Sequence, residues 1–153
     1  MNRLLLIAAL AVAAYFTFAP DLRPSGGREA TASHDVLQAG QGGSDAVLEH
    51  AFTHRIGNLQ VAGQGTVVKL LPDDASGSRH QRFILRLASG RTLLVAHNID
   101  LAARIETVQA GDTVAFYGEY EWNPKGGVIH WTHHDPQARH VSGWIKHGGQ
   151  VYQ

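Results

Sequence analysis

The sequence predicts a mainly β domain, with five strands closed into a small barrel and a short helix between the third and fourth. Three observations point there. Through Val114–Trp122 the residues alternate: Val114, Phe116, Gly118, Tyr120 and Trp122 fall on one side, and Thr113, Ala115, Tyr117, Glu119 and Glu121 on the other. A period of two over that length is a strand with one buried face. A second alternation sets Phe83, Leu85 and Leu87 inward and His80, Arg82, Ile84 and Arg86 outward. Lastly, strand runs and turn signals follow in the order strand, strand, strand, short helix, strand, strand, with a short C-terminal addition.

At the N-terminus, Met1-Asn2-Arg3 is a short positive start, and Leu4–Ala19 is apolar apart from Thr17. That pattern predicts an export segment, residues 1–19, either a cleaved signal peptide or an uncleaved membrane anchor with the bulk of the chain outside. Thr17-Phe18-Ala19 offers small residues for cleavage, but Pro20 follows, which favours the anchor. Residues 20–43 contain two prolines and five glycines and read as a flexible linker. The folded domain is expected over 44–153. Ser44 is placed to cap a helix over 45–56, with Ala46, Val47, His50, Ala51 and His54 on one stripe.

Val61–Leu71 reads as the first strand, and Gly63 and Gly65 within it suggest sharp coiling or a close backbone neighbour. The loop Pro72–Ser78 leads to the second strand, Arg79–Leu87, and Ser89-Gly90 turns the chain into the third, Arg91–His97. Asn98 can cap the short helix, Ile99 to about Thr107. The fourth strand and its return, Val128–His133, form a hairpin around Asn123-Pro124-Lys125-Gly126, in which proline presets φ and glycine supplies φ > 0. Matching the apolar sides sets Glu121 opposite Val128, Tyr120 opposite Ile129, Glu119 opposite His130 and Gly118 opposite Trp131. Val141–Lys146 and Val151-Tyr152 complete the chain as two short strands.

Composition excludes several functions. The 153 residues carry 13 Lys and Arg against 13 Asp and Glu, for a formal net charge of +0. That balance argues against nucleic acid as a partner, because counterion release needs a basic field. There is no cysteine, so disulfides, thiolate zinc sites and a cysteine nucleophile are ruled out. No Gly-x-Ser-x-Gly elbow or phosphate-binding glycine loop is present. Ten histidines are a high share.

The segment Gly111-Asp112-Thr113-Val114 to Gly118 resembles the approach to the fourth strand in many OB domains. The resemblance implies an OB-like Greek-key barrel; another small barrel or an open β-sandwich is the alternative. Four longer blocks are Arg79–Phe83 (RHQRF), Ala96–Ala102 (AHNIDLA), Gly118–Asn123 (GEYEWN) and Gly127–Asp135 (GVIHWTHHD). Together they are similar to a family of uncharacterised exported bacterial proteins, a domain of unknown function. The resemblance covers Gly65–Gln153 and implies no activity.

The polar blocks suggest a shared pocket. Two or three imidazoles with a carboxylate bind zinc or another divalent transition metal. His97, Asp100, His130 and His134 are the expected ligands, with Glu119 orienting His130 from behind. His80, Arg82, Asn98, Glu121 and Asp135 are expected around them. A small anion on Arg82, Arg86, His80 and Lys125 is the next expectation. A metal-dependent phosphodiesterase using Glu119, Asp100 and Arg82 is the enzymatic alternative, and a structural adaptor for an envelope protein is the third. The expected setting is the periplasmic face of the inner membrane, or the periplasm.

Overall fold

A computed structural model describes residues 43–153 of the chain. The expected export segment and the expected linker up to residue 42 lie outside the described residues, and Gly43, expected to end the linker, instead begins a helix. Among the described residues no helix is long and apolar enough to cross a membrane.

One helix, α1, spans residues 43–53. Seven strands follow: β1 (Leu59–Asp74), β2 (His80–Arg86), β3 (Thr92–Asn98), β4 (Thr113–Glu121), β5 (Val128–His130), β6 (Trp144–His147) and β7 (Gln150–Tyr152). Five of them close a barrel-like ring. The far half of β1 pairs with β2 and its near half, Leu59–Thr66, pairs with β4, both antiparallel. β2 pairs with β3, β3 runs parallel to β5, and β5 returns to β4. One strand can serve two neighbours because it bends, and two register shifts break its pairing with β2. The glycines of β1 permit the close approach expected of them. A Cβ on Gly63 would lie 2.5 Å from the Phe116 ring, and one on Gly65 2.8 Å from the Arg86 carbonyl. β6 and β7 extend the sheet from β4.

The ring encloses Val61, Val67, Phe83, Leu85, Leu93, Val95, Val114, Phe116, Tyr120 and Ile129, with Ile145 of β6, all buried. Each such side chain contributes roughly 1.5–3 kcal/mol on burial. The hairpin register is as expected: Glu121 faces Val128, Tyr120 faces Ile129 and Glu119 faces His130.

Three expectations are corrected. First, the segment after β3 is a series of turns, with no helix between strands three and four. A few of its backbone groups bond to each other, as Ala102 N–H does to the Asn98 carbonyl and Asp112 N–H to the Gln109 carbonyl, but others bond to side chains. The Gln81 amide donates to the Ile105 carbonyl and accepts from its N–H, both at 2.9 Å. The Asn98 side chain accepts from the Asp100 N–H, and the Asp112 carboxylate from the Gln109 N–H. The turns drive Ile105 and Val108 into the core, where a regular helix would have to share its apolar residues with one narrow stripe.

Second, α1 ends at residue 53 rather than 56, and Ser44 lies within it. The end is a Schellman turn: Arg55 takes φ 57°, the Ile56 N–H reaches the Ala51 carbonyl and the Arg55 N–H reaches Phe52. The helix packs through Asp45, Leu48 and Ala51, whereas Ala46, Val47, His50 and His54 are exposed. Leu48 and Ala51 join the core cluster. The Trp122 indole donates to the Phe52 carbonyl, and Arg91 pairs with Glu49.

Third, β5 stops at His130. Trp131 turns off the strand at φ 51°, so the expected pairing of Gly118 with Trp131 is not formed. The glycine instead admits the next turn of chain: a Cβ there would lie 2.5 Å from the His130 carbonyl and 2.9 Å from the Thr132 methyl.

Candidate functional site

Alternation along β4 sends Glu119 and Glu121 outward while Phe116 and Tyr120 fill the core. Directly opposite Glu119 stand His130 on β5 and Gln60 on β1. Opposed residues share one face of the sheet, so Gln60, Glu119 and His130 form a row across three strands, with Glu121 one step along. Glu119, Glu121 and His130 each offer a ligand atom, and the three atoms lie within 4.8 Å of one another.

The Glu119 carboxylate is the hub and is 12% exposed. One oxygen lies 3.3 Å from the Nε2 of His130, and the other 2.6 Å from the Nε2 of His140. His140 also places its Nδ1 2.9 Å from the Val141 carbonyl. Both ring nitrogens therefore face acceptors, a pattern that only the imidazolium satisfies with two N–H groups. Burial lowers the pKa of His140, but the bonds to Glu119 and Val141 and the nearby carboxylate charges outweigh it, and the net shift is upward. The ring is stacked on the Trp131 indole, centroids 4.2 Å apart and planes 6° apart. The left-handed backbone of Trp131 accompanies this contact.

His130 behaves oppositely. Burial pulls its pKa down more strongly than the charges of Glu119 and Glu121 raise it. At neutral pH its Nε2 can carry a lone pair; that atom is buried and, although 3.3 Å from a Glu119 oxygen, makes no well-aligned hydrogen bond. Glu121 is held from behind by the Asn58 N–H, 2.9 Å away. Behind His140, the buried Asp135 carboxylate accepts N–H bonds from Gln137, Arg139 and His140 itself. Those bonds hold its pKa low, the Gln137 bond most of all, with burial opposing. Asp135 thus shapes the loop that presents His140 to Glu119.

The four expected ligands are not brought together. His97 belongs to the inward face of β3, with Leu93 and Val95, and is 0% exposed. His130 is on the outward face of β5, so the sheet separates the two rings. The Nε2–H of His97 donates to the Ala103 carbonyl at 3.2 Å, and its Nδ1 accepts from the Thr132 hydroxyl at 2.8 Å. Burial, helped by neighbouring His133 and His80, lowers its pKa to about 4 although the Ala103 bond opposes this. Asp100 is engaged by the Nε and backbone N–H of Arg79, each at 2.7 Å. His134 is exposed, with its Nδ1 3.0 Å from the Ser142 hydroxyl. His80 bonds the Ser78 carbonyl, and Arg82 bonds the Pro72 carbonyl and pairs with Asp74. Asp100 and Arg82 therefore serve their own loops, which leaves the expected phosphodiesterase trio dispersed.

A family model, protein of unknown function (DUF3465), matches residues 33–153. The chain belongs to DUF3465. No curated protein matches it. In this DUF3465 domain the four blocks singled out above become two paired units. RHQRF is β2 with its lead-in, joined to AHNIDLA by the β2–β3 register and the Arg79–Asp100 ion pair. GEYEWN and GVIHWTHHD are the two sides of the hairpin that carries Glu119, Glu121 and His130.

Two participants were not foreseen from the sequence. Gln60 joins the row only through the β1–β4 pairing that closes the ring. His140 arrives on a loop whose course is set by Asp135, and a lone histidine in a polar stretch gives no sign of that.

Proposed function

We propose that this domain is an OB-like barrel that binds a divalent transition-metal ion, zinc by preference, through Glu119, Glu121 and His130. The barrel type is supported by the ring order, in which one bent strand pairs with both β2 and β4 while β3 and β5 run parallel. The observation that carries the metal reading is the buried Nε2 of His130, which makes no well-aligned hydrogen bond and lies within 4.8 Å of two carboxylate oxygens. A nitrogen kept neutral by burial beside two acids suits a borderline ion: nitrogen and oxygen ligands at about 2.0–2.2 Å are the ordinary zinc environment. Glu119, assigned from the sequence to a supporting role, becomes a ligand. His140 takes the supporting role, fixing one carboxylate oxygen so that the other faces the ion. His97, Asp100 and His134 are left out of the ligand set. The domain is exported and remains tied to the inner membrane through residues 4–19.

The test is calorimetric titration of zinc into protein prepared without an affinity tag. Wild type binds one ion, whereas Glu119→Gln and His130→Ala weaken binding about 10–100-fold or more, the scale on which even supporting groups of a metal act. His97→Gln leaves it unchanged. Wild type that takes up no zinc, copper or nickel overturns the reading.

A further inference from the structure

Two buried side-chain nitrogens lack a hydrogen-bond partner among the described residues: Nε2 of His130 and Nε2 of Gln60. They belong to the two residues that face Glu119 from either side, Gln60 across the β1–β4 pairing and His130 across β4–β5. The metal reading accounts for His130 and leaves Gln60 unexplained. A carboxamide NH2 cannot ligate a cation; it is a donor in need of an acceptor. Left unpaired out of water it costs free energy, which is why such groups are rare and call for an explanation. Val61 next to it is buried on the core side, so Gln60 lies on the same face as Glu119. Opposed Cβ atoms in such a pair are about 5 Å apart, which leaves the amide within reach of whatever Glu119 holds.

We propose that the metal site is an open one, and that its remaining coordination position takes a small oxyanion, of the carboxylate type, which accepts a hydrogen bond from Nε2 of Gln60. The inference rests on the metal reading above. Three protein ligands leave a tetrahedral ion one position short, the arrangement of sites that bind an exchangeable ligand rather than of closed structural ones. The site borders solvent, since the His130 side chain is 34% exposed even though its Nε2 is itself covered. An anionic oxygen satisfies both demands at once, completing the ion's shell and accepting from the amide. Gln60 is then a specificity-determining residue of the site and not a metal ligand.

Cobalt(II) substitution gives separate readouts for the ion and the anion. The visible spectrum of the cobalt-loaded protein reports the ion, and its change on titration with acetate reports the anion. Wild type should bind cobalt and shift its spectrum with acetate. Gln60→Leu should bind cobalt as wild type does but acetate roughly tenfold more weakly, the loss of one hydrogen bond to a charged acceptor. Gln60→Glu should hold cobalt at least as tightly and lose acetate altogether, through charge repulsion. A wild-type cobalt spectrum that acetate does not move, or Gln60→Leu protein that binds acetate like wild type, overturns this inference and leaves the metal reading standing. Failure of wild type to bind cobalt at all overturns both.

Discussion

His97 shows how one side chain can look like a ligand and be a structural pin. Its two nitrogens join the turn after β3, at Ala103, to the chain after β5, at Thr132. The ring is neutral in the folded protein, with a pKa near 4 against an ordinary value of 6.5. Above pH 6.5 both folded and unfolded chains hold it neutral and its full contribution is present. As pH falls from there towards 4, the unfolded chain takes up a proton that the folded chain refuses, so stability drops. The drop amounts to about 3 kcal/mol by the lower end of that window. Urea unfolding followed across this range should show it, and His97→Gln should be less stable at neutral pH but have a flatter profile below it. A variant whose profile matches wild type would mean that another group governs the acid limb. The inward position of His97 was legible, since Leu93, Val95 and His97 share one alternation. What misled was the polarity of the residue, which invites a place on a surface although a buried imidazole with two partners is equally sound.

At the scale of elements, the hairpin was read correctly as far as His130. Beyond His130 the period-two pattern continues in the sequence, yet the strand ends. Trp131 enters a left-handed backbone conformation, which alternation does not report. The turns after β3 are a similar case. Asn98 followed by apolar residues looks like a capped helix, but Gln81, a neighbour only through β2, takes both backbone groups of Ile105. Gln81 is 4% exposed, so Gln81→Leu leaves a buried N–H and carbonyl without partners. It should cost about 2–6 kcal/mol at roughly 1–3 per orphaned group. Chemical denaturation measures this directly, and a loss below about 0.5 kcal/mol, the range of ordinary surface changes, would show that the turns find other partners. α1 was foreseen as a helix, but its buried face was not. Leu48 and Ala51 point inward because Arg91 and Trp122 fix how the helix lies, through Glu49 and the Phe52 carbonyl.

For the whole molecule, the barrel-like closure turns separate strands into a site. Glu119 and His130 are hairpin neighbours and were paired from the sequence; Gln60 reaches them across a chain separation of about half the domain. The apolar stretch Leu4–Ala19, proposed as an export segment, adds a prediction at this scale. If residues 4–19 remain as an anchor, mass spectrometry of the membrane-extracted protein should find an intact N-terminus. A mature chain beginning between Pro20 and Ser33 would show cleavage instead and release the domain from the membrane.

The sequence by itself determined the succession of strands along the chain, the hairpin register up to His130, the inward and outward residues of β2 and β4, and the absence of thiol chemistry. These follow from local rules: period-two burial, turn residues and composition. Only the tertiary structure decided which outward groups share a face with Glu119, that His97 sits on the far side of the sheet from His130, and that His140 completes the cluster. Side chains on one strand alternate by necessity, but which strand lies alongside which is set by closing the ring around its core.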